Sequence, residues 1–224
     1  TRTHYVCNHT EVVRVIVSIK VLMVCGERLT MQQGLFLFPM STFIRECLER
    51  VSFWLTADRI GPDMPLTHWM LYIPPLRRAL CRRKFKRIDS TADIRPGSYI
   101  VSCSKIRIGR RVVVHPGSAL MADPREGGEG ITVEDDVMLG LGVHMYVDNH
   151  AFHDLSTSLI NQDIYPSKPI VIRRGAWIGA NAIILSGVEI GENSVVGAGS
   201  VINKSIPPHT VVTPAMVRMT RRPV

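Results

Sequence analysis

No two of the five cysteines (7, 25, 47, 81 and 103) stand in a CxxC pair. That excludes a zinc ribbon built on the spacing and argues against the dense disulfide framework of a small secreted domain. A reducing compartment is the simpler reading, and a cytoplasmic location is expected. Also missing is any uncharged apolar run of about 18 residues or more, the length a membrane-spanning helix needs. The nearest candidate, VVRVIVSIKVLMV (12–24), is broken by Arg14 and Lys20 and lacks the small-residue cleavage pattern of a secretion signal. No integral membrane segment is expected. The run RRALCRRKFKR (77–87) carries seven cations but a single aromatic, Phe85. It therefore lacks the interleaved rings on which a nucleic-acid surface stacks bases, and no nucleic-acid partner is expected.

What is present is a chain of 224 residues, enough for one good-sized domain or for one domain with an appendage. Its net charge of +8 is uneven, concentrated in 77–87 and in the closing RMTRRPV. Such clusters can meet a membrane surface or a phosphorylated small molecule, or can be solvated faces with no partner. Residues 1–39 show neither a sustained period nor helix caps, and read as a possible non-native or loosely ordered extension, with the natural start near Met40. Residues 40–87 read as a helical and basic lead-in. Within it, STFIRECLERVSFWLTADRI (41–60) has a helical pattern, with Ser41 or Thr42 as cap, Glu46 as its partner, and Phe43, Cys47, Leu48 and Val51 on one face.

The strongest signal is a period of six. Ile172, Ile178, Ile184, Ile190, Val196 and Ile202 keep it without a slip, and Gly179, Gly191 and Gly197 directly follow their aliphatic residue. Upstream it continues through Ile88, Ile94 and Ile100, then Ile108, Val114 and Leu120, then Val133, Leu139 and Met145. A small or β-branched companion stands four places after most of them, as at Ala92, Ser98, Ser104, Val112, Ser118, Val137, Val143, Ala182, Val188, Ser194 and Ser200. Neither a helix nor a simple strand has this period. A solenoid of short parallel strands does: each unit makes one flat side, three sides close a coil, and coils stack at a period of eighteen. The array covers 88–206, interrupted by insertions at 121–132 and 146–169 that must leave the solenoid, because a buried loop cannot satisfy its backbone. Residues 207–224 read as a basic tail.

The units IGANAI, IGENSV and VGAGSV resemble the hexapeptide repeat of the left-handed β-helix acyltransferases. VDNHAFHD (147–154), KPIVIRRGAWIGANAIIL (168–185) and VGAGSVINKSIPP (196–208) are similar to the sugar O-acetyltransferase branch, which includes galactoside, maltose and lipopolysaccharide or capsule acetyltransferases. The likeness spans about residues 60–220 and departs from the family where TPAMVRMTRR replaces a closing GxPAKxI motif. Serine acetyltransferases share the repeat but carry a helical N-terminal domain longer than 40–87. The fold implied is all-β, a left-handed parallel β-helix with a short N-terminal helical segment and two ejected loops. The resemblance implies acetyl-coenzyme A as donor, no metal, a sugar or saccharide acceptor, and a homotrimer with active sites between subunits.

It also implies roles. His150 matches the family's catalytic histidine, which would take the proton of the attacking hydroxyl; an imidazole suits the task because its ordinary pKa of about 6.5 leaves it able to accept a proton near neutrality. His153 is the runner-up, and His144, inside the repeat, reads as structural. Trp177 matches the tryptophan lining the pantetheine arm, Ala180 and Ala198 the small residues whose backbone meets that arm, and Asn203 and Lys204 the pair beside the last coil. Arg218 and Arg221 fall where the family holds the nucleotide phosphates. Asp123 resembles a carboxylate that binds sugar hydroxyls, and Asp148, Asn149 and Asp154 flank the histidine and could orient it or the sugar; each residue is also a natural turn former. Three other readings stand beside this one. They are N-acetylation of an amino sugar, a γ-class carbonic-anhydrase-like zinc enzyme using His115, His144, His150 or His153, and a non-catalytic trimeric scaffold.

Overall fold

The computed structural model describes residues 40–214. The expectations for residues 1–39, and for Arg218 and Arg221, lie outside the described residues.

Helix α1 (Met40–Thr56) is already under way at Met40, so neither Ser41 nor Thr42 caps it. Its expected apolar face is open to solvent within this chain, Phe43 at 49% and Leu48 at 64% exposure. The helix also ends earlier than its pattern suggested. Arg59 and Ile60 form a strand, β1, paired antiparallel with Tyr99–Val101. The turn between them is fixed by Asp58, whose carboxylate accepts from the amide and hydroxyl of Ser104 at 2.9 and 2.6 Å. Two short helices follow, α2 (Pro65–Met70) and α3 (Pro74–Lys84), each with proline in its first turn, where the missing N–H costs no hydrogen bond. On α3, Leu80, Cys81 and Lys84 are buried. The Lys84 ammonium donates to the carbonyls of Ala57 and Arg59, which tethers α3 beneath β1. Burial pulls the pKa of Lys84 down.

The period of six then becomes a three-sided solenoid, a left-handed parallel β-helix. Face 1 holds β2 (Arg87–Ile88), β5 (Ile106–Ile108), β8 (Ile131–Val133), β11 (Ile170–Ile172) and β14 (Glu189–Ile190). Face 2 holds β3 (Asp93–Ile94), β6 (Val113–Val114), β9 (Met138–Leu139), β12 (Trp177–Ile178), β15 (Val195–Val196) and β17 (Val211–Val212). Face 3 holds β4 (Tyr99–Val101), β7 (Ala119–Met121), β10 (His144–Tyr146), β13 (Ile183–Ile184) and β16 (Val201–Ile202), with β1 at its edge. The pairs within β2–β17 are parallel, and inward residues stack in register, as in Ile178 on Val196 and Ile184 on Ile202. Ile94, Ile100, Val114, Leu120, Met145, Ile172, Ile178, Ile184, Ile190 and Val196 are at most 1% exposed, so the repeat is a core.

Two details differ from the sequence pattern. Ser104 is exposed, because a 3-10 turn at Cys103–Lys105 breaks the phase and turns Cys103 and Ile106 inward in its place. Residues 207–212 do not behave as a tail: β17 pairs with β15 and begins another coil.

The glycine behind each aliphatic residue has a steric cause. A Cβ on Gly179 would lie 2.4 Å from the nitrogen of Ala198 in the next coil. At Gly142 the reason is conformational: its φ of +65° is one that side chains resist.

Candidate functional site

Three corners follow from this winding, and two hold the candidate site residues. Both long loops leave at the corner between faces 3 and 1, one coil apart, after β7 and after β10. Within them Asp123 is buried, and its carboxylate takes hydrogen bonds from the backbone amide and guanidinium of Arg125, at 2.6 to 3.1 Å. Those bonds hold its pKa well below the usual carboxylate range. Arg125 also reaches the second loop, donating to the carbonyls of Ile164 and Tyr165 at 3.2 and 3.1 Å. Ser167 accepts from the amide of Glu129 at 2.9 Å, so the loops are fastened at two points.

The second loop folds back on itself. His150 pairs antiparallel with Ile164, flanked by Tyr165 N–H donating to Asn149 O at 2.9 Å and Ala151 N–H donating to Asp163 O at 2.7 Å. His150 and Asn149 are exposed, and Asp148 is half-buried with its charge felt by Arg125. His153 packs on Phe152 and Tyr165, ring centroids 4.8 and 5.5 Å apart. Asp154 serves its own turn: the hydroxyl and amide of Ser156 donate to it at 2.6 and 2.8 Å. Hydrogen bonds from Ser156 and then Thr157 lower its pKa to about 2. His144 is engaged on both ring nitrogens, with Nε2 at 3.2 Å from the carbonyl of Gly117 and Nδ1 at 3.1 Å from the hydroxyl of Tyr146. The carbonyl can only accept, so Nε2 carries a proton. His115, by contrast, sits at the corner between faces 2 and 3. Among the described residues no group of three or more His, Cys, Asp or Glu is arranged to hold a metal ion.

The other corner lies between faces 2 and 3. Trp177 projects outward from β12, half exposed, beside Met138 and Val195. Directly after it, Ala180 and Ala198 stack one coil apart, brought close by Gly179. No hydrogen bond within the described residues uses the amide nitrogen of Ala180 or of Ala198, so this edge offers free backbone donors. Asn203 and Lys204, also exposed, do not join it: they follow β16 and fall at the loop corner, above His150.

Within one chain the two sets are therefore apart. From Ala180 to Ser186, whose hydroxyl donates to Val147 O at the stem of the second loop, the chain crosses the whole of face 3. Six residues of extended backbone span on the order of 15–20 Å at about 3.3 Å each. Two open depressions on the described surface lie elsewhere. One, of about 510 Å³, lies over face 1 between Arg107 and Glu134. The other, of about 450 Å³, lies beside Tyr72 and Pro116. Neither is lined by His150, Trp177, Ala180 or Ala198. Arg125 and Tyr165, which fasten the loop corner, went unmarked in the sequence, where only the nearness of Arg125 to Asp123 could have pointed to the ion pair.

A family model for the bacterial transferase hexapeptide (six repeats) matches residues 169–204. The galactoside O-acetyltransferase of Escherichia coli (strain K12) is 32% identical over 145 residues, covering 65% of this chain and 68% of that protein. The galactoside O-acetyltransferase of Lactococcus lactis (strain IL1403) is 30% identical over 152 residues, with the same coverage of 65% and 68%. Among solved structures, a galactoside acetyltransferase in complex with coenzyme A superposes with a TM-score of 0.57 at 26% identity, covering 84% of each chain. A hexapeptide-repeat acetyltransferase of Vibrio cholerae complexed with acetyl-coenzyme A gives 0.54 at 27% identity, covering 81% of this chain and 89% of that one. The chain belongs to the hexapeptide-repeat acetyltransferase family, alongside the galactoside O-acetyltransferases.

Proposed function

We propose that the protein moves an acetyl group from acetyl-coenzyme A to a hydroxyl of a saccharide, in a site that two neighbouring copies of a homotrimer build together. The observation that carries this reading is the separation just described. The edge with free amides and an exposed tryptophan is at one corner, and the exposed histidine with its fastened loops is at another. Neither alone is a site. Set against each other across a subunit boundary, they make a groove with a donor wall and a reacting wall.

The division of labour follows from the chemistry. The donor's pantetheine arm carries amides, which suit the unpaired N–H groups of Ala180 and Ala198, and it has an apolar length that suits the ring of Trp177. Asn203 and Lys204, at the loop corner, face the same donor from the other wall, and the guanidinium chemistry of Arg218 and Arg221 suits its phosphates. On the reacting wall, a hydroxyl attacks a thioester poorly until its proton is taken. His150 takes that proton, oxygen bonds to the acetyl carbon, and the tetrahedral oxyanion collapses to expel the thiol, which receives the proton. Asp148 and Asn149 flank the base. Asp123 acts on the acceptor through Arg125, whose guanidinium it holds between the loops, while Asp154 shapes the loop tip.

The test is thiol release from acetyl-coenzyme A with a panel of free sugars, nucleotide sugars and amino sugars. A hydroxyl acceptor supports the reading, and product amides from amino sugars alone would replace it with N-acetylation. His150→Ala should lower turnover by on the order of a hundredfold, the usual contribution of a positioned general base. Coenzyme A affinity and assembly state should not change. If His153→Ala loses turnover and His150→Ala keeps it, the base is His153.

A further inference from the structure

Acetyl transfer leaves the base of the solenoid unexplained. There α2, the turn after it and α3 present Trp69, Tyr72, Ile73 and Leu76, exposed by 68, 58, 49 and 41%. The rings of Trp69 and Tyr72 stand together, centroids 5.4 Å apart. Beside them the outer side of α3 carries Arg78, Arg82 and Arg83, and the chain continues through Lys86 and Arg87, all exposed. Arg77 is different: it is partly buried and paired with Asp93 at 3.0 Å. Among the described residues none of the other five has a carboxylate partner.

Arg87 stands in register with Arg107 on β5, in the depression over face 1 that Asp89, Glu134 and Asp135 also line, so those two arginines belong to a mixed-charge face and not to this patch. Cations in the last turn of a helix complement its dipole, which accounts for Arg82 and Arg83. It does not account for Arg78 or Lys86, nor for four large apolar side chains left in water at the same end.

Aromatic rings with aliphatic neighbours, rimmed by cations, match the boundary of an anionic bilayer. Rings and aliphatics enter the headgroup layer, and arginine and lysine meet the phosphates. A nucleic acid would also attract the charge, but it would leave Ile73 and Leu76 with nothing to bury against. We propose that the base of the solenoid, from Trp69 to Lys86, docks on the anionic phospholipid surface of a membrane. The attachment is peripheral: no helix among the described residues is long and apolar enough to cross a bilayer.

Vesicle flotation of the full chain tests this. The protein should rise with vesicles of equal parts phosphatidylglycerol and phosphatidylcholine, stay behind with phosphatidylcholine alone, and be released by salt. Each cation near such a surface is worth about fivefold in binding, so Arg78→Gln, Arg82→Gln and Arg83→Gln together should cost about a hundredfold. Trp69→Ala with Tyr72→Ala should weaken binding to the anionic vesicles at low salt, with assembly state and thermal melting unchanged. The proposal is overturned if the triple variant floats like wild type, if neutral vesicles bind equally well, or if a DNA duplex binds while vesicles do not. It is equally overturned if the aromatic pair alters only subunit assembly. None of these residues belongs to the proposed acetyl-transfer site, so failure here leaves that reading untouched.

Discussion

Gly179→Ala adds one methyl group, and the structure says where it goes. The new Cβ would lie 2.4 Å from the nitrogen and 2.8 Å from the Cα of Ala198, and 2.8 Å from the carbonyl carbon of Gly197. These are backbone atoms of the next coil, so no side chain can swing away. Restoring ordinary contact means opening the corner by about 1 Å, against strands that stack at about 4.8 Å. Overpacking of this kind costs about 1–3 kcal/mol, which for a chain of this size lowers the melting temperature by about 3–10 °C. Gly127→Ala, in the first loop and away from this corner, is the control. Nothing lies within 4 Å of its Cβ, but its φ is +70°, and forcing alanine there costs about 1–2 kcal/mol. Both variants should therefore melt early, for different reasons. Only Gly179→Ala displaces the Ala198 amide, so only it should also weaken coenzyme A binding by calorimetry. A Gly179→Ala protein that melts with wild type would refute the steric reading. Equal coenzyme A affinity in the two variants would refute the donor edge.

Ile190→Asp puts an unpaired carboxylate on the solenoid axis, at a fully buried position; the expected result is insoluble protein, and a soluble folded one would show that the repeat does not face inward there. Trp177→Ala should weaken coenzyme A binding in calorimetry and leave melting nearly unchanged, because the ring is half exposed. The Asp123 carboxylate is held low by Arg125, so its contribution is complete above the ordinary carboxylate range and is lost as pH falls below about 4 toward the folded value. Protease cutting in 147–169 should rise over that window in wild type, and Asp123→Asn should be cut readily at neutral pH; identical cutting of the two at pH 7 would show that the pair does not fasten the loops.

Much of the solenoid could be read from the chain because its period is longer than any local structure. Ile172 through Ile202 state the coil directly, and the glycines mark where coils touch. What escaped is what the period does not cover. Ser104 looked like a companion residue, but two inserted residues shift the phase and a 3-10 turn swings Cys103 inward. Arg59 and Ile60 looked helical by pattern, yet the open edge of β4 offers them hydrogen bonds that a helix end cannot. Residues 207–212 lost the strict period at two prolines while keeping the pairing. The site divides in the same way. His150, Trp177, Ala180 and Ala198 stand in recognisable strings, whereas Arg125 matters through carbonyls 39 and 40 positions away, a nearness that only the loops create.

The central claim is that one copy supplies the base and its neighbour the donor edge, and subunit complementation tests it directly. His150→Ala removes the base, and Ala198→Trp blocks the donor edge at an exposed position. Each variant alone should be nearly inactive in thiol release with the identified acceptor. Co-expressed in equal amounts, the two should form mixed trimers in which roughly a quarter of the sites draw an intact wall from each of two copies. Activity should return to about that fraction of wild type. Co-expressed protein that forms mixed trimers, yet shows no more activity than the two variants summed, would place both walls in one chain and contradict the account.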